Sequence, residues 1–404
     1  MSLNTFDKLG LSAPLVNVLE RLGITEPTEI QTKTLPAALA GRDVMASAET
    51  GSGKTAAFLL PIIERLKRPG RLRALVLAPT RELASQIEAN AQSYCRAARL
   101  RTVSVVGGES AFKQIKALNK GVDILIATPG RLNDLIERGE VPLQSIEVFV
   151  LDEADRMLDM GFLPQVRRIL KHLPRNRQTM LLTATLSRAV EQLSGELKPD
   201  HLRVEATRST TTVATLTQKA FPVLSHAKLP LLLALLKQHT EGSFLVFTQT
   251  RRGADRLEQV LRANRYDVVT LHSDRSQSQR NSALESFRSG RVRVLVATDV
   301  AARGIDVDDI TFVINYEVPA TAEDYVHRVG RTARAGRNGS ALTMVSPEEE
   351  PMLASIERIT GVKLERSKLT GFSDGRSDEQ IRLTSEIARL RSSSTRSFSR
   401  RALR

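Results

Sequence analysis

The amino-acid sequence predicts an α/β fold with two tandem, doubly wound parallel-sheet domains joined by a short linker. The first observation is a series of Val-, Ile- and Leu-rich runs without polar alternation: RALVLAP at 73–79, VDILIAT at 122–128, IEVFVLD at 146–152 and QTMLLTAT at 178–185. Strands buried on both faces of a parallel sheet have this pattern. The second observation is that helical stretches such as TRELASQIEANAQSY at 80–94 lie between the runs. This alternation is the order of a doubly wound sheet.

The third observation is that the same build occurs twice. SFLVFTQTRRGADRLEQVL at 243–261 repeats the strand, hydroxyl-rich turn and helix of LVLAPTRELASQIEANA at 75–91. VRVLVATDVAARG at 292–304 likewise matches VDILIATPGRL at 122–132. Two matches in the same order indicate a duplicated α/β unit.

Composition sets the domain boundaries. A chain of 404 residues suits two to three domains, and 41% hydrophobic residues are enough for packed cores. The stretch ATRSTTTVATLTQK at 206–219 has small and hydroxyl residues without a core stripe, which is typical of a linker. The Ser- and Arg-rich end of the chain is typical of disorder. We therefore assign 1–206 to the first domain, 207–219 to the linker, 220–365 to the second domain and 366–404 to a disordered basic tail.

The charge balance bears on partners. Lys and Arg total 59 against 45 acids, for a net charge of +14. This excess favours polyanions, nucleic acid above all, through phosphate contacts and counterion release. A basic surface without a specific partner is the alternative. For the tail, the same two interpretations are a tether for nonspecific nucleic-acid binding, which we favour, and unfolded excess.

Other residue types bear on location. Cys95 is the single cysteine, so no intramolecular disulfide or cysteine-based zinc site can form, which fits a reducing cytoplasm. The six histidines lack short ligand spacing. The start of the chain has no signal-peptide pattern, and the most apolar run, LPLLLALL at 229–236, is too short for a bilayer and predicts a buried helix. We expect a cytoplasmic protein with no membrane partner.

A glycine-rich segment, DVMASAETGSGKTAAFLLP at 43–61, predicts a strand, a tight turn and a helix. In such P-loops, backbone N–H groups surround phosphate oxygens and the helix N-terminus adds partial positive charge. Lys54 is expected to reach the β- and γ-phosphates, and Thr55 to offer its hydroxyl to Mg²⁺. Ala48 replaces the usual first glycine, and a ligand-free helix cap is the alternative. The expected loop residues are Thr50, Gly51, Ser52, Gly53, Lys54 and Thr55.

FVLDEADRML at 149–158 crowds Asp152, Glu153 and Asp155 into four positions. Neighbouring carboxylates repel by roughly 1 to 4 kcal/mol per close pair, so solvent or a cation must offset the repulsion. Asp152 ends a buried strand, as a Walker-B carboxylate does, and is expected to hold Mg²⁺ directly or through water. Glu153 is placed to orient or deprotonate the attacking water. Asp155 is expected to hold neighbouring motifs rather than metal.

The second domain has an arginine row in YVHRVGRTARAGRNG at 325–339. Arg328, Arg331 and Arg334 recur every third residue, so on a helix they would share one broad face. A solvated basic face is the alternative interpretation. A phosphate site in one domain and an arginine row in its duplicate predict a composite active site, because arginine fingers stabilise charge on a transferring phosphoryl group.

Further segments complete a motif series. They are AETGSGKT at 48–55, PTREL at 79–83, the glycine pair at 107–108, TPGR at 128–131, DEAD at 152–155, LVFTQT at 245–250, QSQR at 277–280, ATDVAARGID at 297–306 and HRVGRTAR at 327–334. Upstream are Phe6, Gly23, Pro27, Thr28, Ile30 and Gln31. Over residues 6–345 the chain resembles the DEAD-box ATP-dependent RNA helicases, which implies two RecA-like domains, ATP and Mg²⁺ as cofactors and RNA as partner.

The resemblance also implies residue roles. Gln31 would read adenine, Asp306 would face the ribose, and Arg331 and Arg334 would face the γ-phosphate. The implied catalytic residues are Lys54, Asp152, Glu153, Arg331 and Arg334. Phe6, Ile24 and Gly304 would join the nucleotide contacts. The implied RNA contacts are Arg81, Gly108, Thr128, Arg131, Arg280, Thr298 and Gly304. Asp155, Thr183, Thr185 and His327 would couple the domains.

Three positions depart from the family pattern. Ile24 stands where an aromatic usually stacks on adenine, which implies weaker nucleotide affinity. Thr183 replaces the usual serine but keeps the hydroxyl, so coupling is expected to persist. Ser273 stands where a glycine is common, which changes the turn after His272.

The leading interpretation is an RNA-stimulated ATPase that separates short RNA duplexes locally or remodels ribonucleoproteins. Aromatic residues are 4% of the chain and Trp is absent, so contacts to the RNA backbone are expected to dominate. An ATP-gated RNA clamp and a DNA helicase are the alternatives. The short flanks resemble minimal bacterial members, which serve ribosome assembly or RNA decay.

Overall fold

A computed structural model of the chain describes residues 5–48, 51–185, 188–206, 216–302, 310–333 and 338–374. The chain divides into two compact units, Met1–Arg208 and Ser209–Arg404. Some predicted features lie outside the described residues: Thr50, Gly304, Asp306, Arg334, the greater part of the linker and the tail beyond residue 374.

The first unit alternates strands and helices, as predicted. Its strands are β1 (Val44–Ser47), β2 (Ala74–Leu77), β3 (Thr102–Val105), β4 (Ile124–Ala127), β5 (Val148–Leu151), β6 (Gln178–Thr183) and β7 (Leu202–Glu205). Its helices are α1 (Ala13–Arg21), α2 (Glu29–Leu39), α3 (Lys54–Leu66), α4 (Arg81–Cys95), α5 (Ala111–Asn119), α6 (Pro129–Glu137), α7 (Ala154–Asp159), α8 (Leu163–Leu170) and α9 (Arg188–Leu193). The strands form one parallel sheet in the order β3-β4-β2-β5-β6-β1-β7, so all carboxyl ends lie at one edge.

Both faces of this sheet are buried, which explains the unalternating apolar runs. In β2, Ala74 and Val76 belong to one hydrophobic cluster, while Leu75 and Leu77 belong to another on the opposite face. Strands β4 and β5 divide their residues in the same way. Because successive side chains of a strand point to opposite faces, every position must be apolar when both faces carry helices.

Buried carboxylates fix the amino ends of two strands. Asp123, just before β4, is fully buried and accepts hydrogen bonds from the backbone N–H of Gly70 at 2.6 Å and of Arg101 at 2.9 Å. The Arg101 side chain adds an Nε–H bond at 3.0 Å. Asp43, just before β1, accepts from the backbone N–H of Thr179 at 2.9 Å and of Lys198 at 2.8 Å. Hydrogen bonds to charged groups contribute about 1.5 to 3 kcal/mol each.

The second unit repeats the architecture. Its strands are β8 (Leu216–Pro222), β9 (Phe244–Thr248), β10 (Val268–Leu271), β11 (Val294–Thr298), β12 (Phe312–Asn315), β13 (Gly339–Val345) and β14 (Glu365–Arg366). Its helices are α10 (Lys228–Gln238), α11 (Arg251–Ala263), α12 (Gln277–Arg288), α13 (Asp299–Ala302), α14 (Ala322–Val329) and α15 (Glu350–Thr360). These strands also form a parallel sheet, in the order β10-β11-β9-β12-β13-β8-β14. The predicted duplication of a doubly wound α/β unit is confirmed.

The apolar run at 229–236 forms the buried helix that was predicted. Helix α10 buries Leu231, Leu232, Leu235 and Leu236 against the sheet, and burial of each such side chain contributes roughly 1.5 to 3 kcal/mol. Among the described residues, no helix has the length and apolarity to cross a bilayer.

Two predicted boundaries differ from the structure. Strand β8 begins at Leu216, inside the stretch assigned to the linker, because it pairs with β13 over its whole length from Leu216 to Pro222. The stretch assigned to the tail also begins too early. Ser367 donates its backbone N–H to Ala220 O at 2.8 Å, and Leu369 packs against the apolar face of α10. Residues up to 374 therefore belong to the second unit.

Candidate active site

The phosphate loop lies between β1 and α3 at the carboxyl edge of the first sheet. Gly51 and Gly53 have φ angles of +88° and +91°, a left-handed backbone that favours glycine. A Cβ at Gly53 would lie 2.4 Å from Gln31 Nε2. Lys54 is the first residue of α3 and is buried, and its ammonium group donates to the carbonyl oxygens of Ala48 and, at 3.4 Å, Thr183. The ammonium is thereby held beside the loop and the end of β6.

Gln31 lies against the phosphate loop. Its Nε2 donates to Gly53 O at 3.1 Å, and its Oε1 accepts from the backbone N–H of Thr28, the cap of α2, at 3.0 Å. Phe6 is instead a core residue, 2% exposed, and Ile24 packs against the same core. The structure thus brings one of the three adenine-side candidates to the loop, and nucleotide contacts of Phe6 and Ile24 stay predictions.

The acidic cluster follows β5, beside β6. Asp152 is 3% exposed, and its Oδ1 accepts from the backbone N–H of Glu153 at 3.0 Å. Burial, together with the charge of Glu153, raises the pKa of Asp152 to about 7, although the positive charge of Lys54 opposes the change. Glu153 has a left-handed φ of +51°, uncommon outside glycine, and its carboxylate pairs with Arg156 at 2.6 Å.

Asp155 joins the cluster to the segment after β6. Its Oδ2 accepts from the backbone N–H of Ala184 at 3.0 Å and from both the backbone N–H and the hydroxyl of Thr185, at 2.8 and 2.9 Å. Thr183 donates its hydroxyl to Thr185 O at 2.7 Å. These bonds join Asp155 to the residues after β6, and its role in coupling the domains stays a prediction.

The donor set at this edge fits Mg²⁺. Magnesium is usually bound through one or two carboxylates together with phosphate oxygens and water, rather than by an all-protein cage. Within the described residues, no three His, Cys, Asp or Glu side chains converge as a ligand group. The carboxylate of Asp152 accepts one backbone N–H through Oδ1, and its ionised form needs a cation to offset burial. Asp152 and Thr55 would hold the ion.

The raised pKa of Asp152 predicts pH-dependent stability. In the unfolded chain the pKa of an aspartate is about 4, whereas in the folded unit the pKa of Asp152 is about 7. Since the folded state binds the extra proton between these values, stability of the metal-free protein falls as pH rises through that range. Asp152→Asn removes the buried charge and should stabilise the first unit by roughly 1 to 4 kcal/mol near pH 8, with almost no effect near pH 4. Thermal unfolding in chelator measures this, and equal midpoints near pH 8 would contradict the burial effect.

The predicted RNA contacts of the first unit lie at the other half of the same edge, after the neighbouring strands β2, β3 and β4. A Cβ at Gly108, which has φ +75°, would lie 1.8 Å from Arg81 Nη1, so these two positions are in contact. Thr128 caps α6. Arg131 donates to Glu109 O at 3.2 Å and to Gln114 Oε1 at 2.7 Å. The structure therefore brings all four predicted residues to one edge.

In the second unit, the predicted arginine row does not form one helical face. Helix α14 ends at Val329, because Gly330 caps it and turns the chain. Arg328 is 1% exposed and forms a bidentate pair with Asp299 at 2.5 and 2.7 Å. Arg331 lies beyond the helix and is 4% exposed, and its Nε–H donates a hydrogen bond to His327 O at 3.3 Å. Arg328 is therefore a packing residue, and Arg331 is placed separately.

The other candidates of this unit are Thr298, the buried last residue of β11, and Arg280, half-buried on α12. Three partners of candidate residues were not predicted from the sequence: Arg156 beside Glu153, Gln114 beside Arg131, and Asp299 beside the packing residue Arg328. Arg156 follows the acidic quartet directly, and its charge could have marked it as the partner of Glu153. The sequence gives no comparable indication for Gln114 or for the pairing of Asp299.

Comparisons with known proteins agree with this geometry. Residues 28–193 match the family model described as DEAD/DEAH box helicase, and residues 227–336 match the helicase conserved C-terminal domain. The chain is 41% identical over 369 residues to the DEAD-box ATP-dependent RNA helicase CshA of Geobacillus kaustophilus, covering 91% of this chain and 79% of that one. The chain belongs to the DEAD-box ATP-dependent RNA helicase family.

Other family members give the same result. This DEAD-box protein is 39% identical over 354 residues to RhpA of Helicobacter pylori, with 88% of this chain and 72% of the relative covered. Among solved structures, S. cerevisiae Dbp5 bound to RNA and ADP BeF3 matches with a TM-score of 0.81 and 31% identity, over 95% of this chain and 99% of that chain. Mss116p bound to ssRNA and AMP-PNP matches with a TM-score of 0.82 and 27% identity, over 95% and 82%.

Proposed function

We propose that this DEAD-box protein hydrolyses ATP when RNA is bound and uses the cycle to separate short RNA duplexes or remodel ribonucleoproteins locally. The observation that supports this most directly is one sheet edge with two sets of residues. The phosphate loop follows β1 and the acidic cluster follows β5, next to the end of β6, while the RNA candidates follow β2, β3 and β4. Relatives with this fold are solved with RNA and ATP-like ligands.

Each residue at the nucleotide half then has a chemical task. Lys54 would bind the β- and γ-phosphates, and Gln31 would read adenine beside the loop. Glu153 would orient the attacking water or accept a proton from it. Mg²⁺, held by Asp152 and Thr55, would neutralise charge on the phosphates. Arg331 and Arg334 would stabilise charge on the γ-phosphoryl group as it transfers.

Coupling to RNA would use the bonds around Asp155. Its carboxylate accepts hydrogen bonds from Ala184 and Thr185 after β6, and the carbonyl oxygen of Thr183, the last residue of β6, accepts from the Lys54 ammonium. A change at the phosphate loop would reach the segment after β6 through the bond from Lys54 to Thr183 O and the bond from the Thr183 hydroxyl to Thr185 O. His327 would transmit the same change in the second domain.

The test compares ATP turnover without polynucleotide, with single-stranded RNA and with DNA of the same sequence. RNA should stimulate turnover and DNA should not, since 2′-hydroxyl contacts discriminate between the two. Equal rates in all three would refute the coupling, and equal stimulation by DNA would favour a DNA helicase.

An ATP-gated RNA clamp is separated by a second pair of assays. Strand displacement from a short RNA duplex with ATP should proceed for a helicase. Retention of RNA with a non-hydrolysable ATP analogue, without displacement by ATP, would favour the clamp. We further propose a cytoplasmic location, which the single cysteine supports, and ribosomal or RNA-decay ribonucleoproteins as targets, which the resemblance to minimal bacterial family members implies. Crosslinking to cellular RNAs tests the choice of target.

A further inference from the structure

Helix α5 presents an unusual exposed surface. Phe112, in its first turn, is 74% exposed, the highest value among the large exposed hydrophobic side chains of the described residues. Lys113, Lys116 and Lys120 are also exposed and follow at spacings of three and four residues, which places them on one side of the helix. Phe112 lies four residues before Lys116, next to this row.

The three lysines are not paired with acids in the described residues, and the exposed carboxylate nearby, Glu109, accepts from Gln114 Nε2 at 3.3 Å. Helix α5 contains no acidic residue in AFKQIKALN. Among the described residues, none of the ion pairs found involves Lys113, Lys116 or Lys120. This face of α5 therefore exposes an aromatic ring and three ammonium groups to solvent.

The surface is fixed to the RNA candidates by a buried side chain. Gln114, 5% exposed on the inner side of α5, donates to Val106 O at 3.0 Å. Its Oε1 accepts from Arg131 Nη1 at 2.7 Å. The loop that joins β3 to α5 contains Gly108, which contacts Arg81. The first turn of α5 is thus held next to three predicted RNA-binding residues.

We propose that this face of α5 is an additional RNA-binding surface, on which Phe112 stacks against a base and the three lysines contact phosphates. An aromatic ring among cations is the usual device for binding single strands without sequence preference, because every base has a stacking face. A protein partner fits less well, since lysine is depleted at protein interfaces. The inference rests on the proposed function, because it extends the RNA path beyond Gly108 and Arg131.

The absence of tryptophan from the sequence allows a direct readout. Phe112→Trp keeps an aromatic ring and introduces a single tryptophan, whose emission should be quenched when single-stranded RNA stacks on it. Ile359→Trp, at an exposed apolar position of α15 in the second unit, is the matched control and should keep its emission. The full chain is titrated with an unstructured RNA of about 20 nucleotides, longer than the site of one binding fold.

Affinity measurements separate stacking from charge. Phe112→Ala should weaken binding of this RNA about five- to tenfold, whereas Phe112→Trp should retain it. The triple change Lys113→Gln, Lys116→Gln and Lys120→Gln should make the slope of log affinity against log salt concentration shallower by up to about 2. Each phosphate contact with a single strand contributes about 0.7 to this slope. The control triple, Lys67→Gln, Lys171→Gln and Lys237→Gln at other exposed positions, removes the same charge and should lower the slope less.

Two outcomes decide the inference. Quenching at position 112 alone, with weaker binding by Phe112→Ala, supports it. Unquenched emission at position 112 together with wild-type affinity for Phe112→Ala would overturn it. RNA-stimulated ATP turnover of the unaltered chain is measured in parallel. If that stimulation is absent the proposed function fails, whereas normal stimulation with unquenched emission rejects only the surface on α5.

Discussion

Glu153→Gln should lower ATP turnover by at least about 10²-fold, with nucleotide binding retained. The amide has almost the shape of the carboxylate and still offers an oxygen to Arg156, which lies 2.6 Å from Glu153 Oε2. It cannot accept a proton, and general-base catalysis contributes about 10² to 10⁴ in rate. The loss should therefore appear in the chemical step, measured as single-turnover hydrolysis of ATP with saturating RNA.

The matched control is Glu137→Gln, an exposed carboxylate on α6 that pairs with Arg168 at 3.1 Å. It makes the same chemical change away from the acidic cluster, so its turnover should equal that of the unaltered chain. Binding of a fluorescent ATP analogue to Glu153→Gln should stay within a few-fold of normal. Unchanged turnover in Glu153→Gln would remove this residue from the proposed mechanism.

Arg331→Ala should reduce RNA-stimulated turnover by about 10² or more, because an arginine finger is worth about 10³ to 10⁵ in rate. Arg331→Lys should recover little of it, since an ammonium group lacks the planar fork of donors that matches phosphate oxygens. Steady-state hydrolysis with saturating RNA measures both variants. Analogue binding should be nearly normal, because the proposed phosphate loop is in the first unit.

Burial of Arg331 requires a folding control. The side chain is 4% exposed, so thermal unfolding must show that the second unit of Arg331→Ala remains folded. Arg358→Ala, at an exposed position in the last turn of α15, removes an arginine from the same unit without touching the site. Normal hydrolysis in a folded Arg331→Ala protein would exclude the composite active site.

The sequence predicts those parts of the molecule whose structure depends on residues close together along the chain. The strands were predictable because burial on both faces demands uninterrupted apolar runs, and the phosphate loop because left-handed turns demand glycine at positions such as Gly51 and Gly53. The loop follows β1 and Asp152 follows β5, as the order of apolar runs and glycines indicates.

The sequence predicts less where a residue distant along the chain determines the position of a side chain or the start of a strand. The spacing of Arg328 and Arg331 indicates a shared helical face, but Gly330 ends the helix and Asp299, 29 residues away, binds Arg328 in the interior. Strand β8 begins among small and hydroxyl residues, because its pairing with β13 supplies what its first residues lack in hydrophobicity. Neither the cap nor the pairing can be read from spacing alone.

The buried carboxylates before β1 and β4 have a consequence for strand alignment during folding. A slip by one position leaves apolar side chains facing both helical layers, so hydrophobicity does little to oppose the error in a sheet of this kind. Asp123 and Asp43 do oppose it, since a displaced strand would carry a charged group away from its amide donors on neighbouring segments. The hydrogen bonds of Asp43 and Asp123 thus specify the strand register of the sheet, and they lie at the edge opposite the phosphate loop.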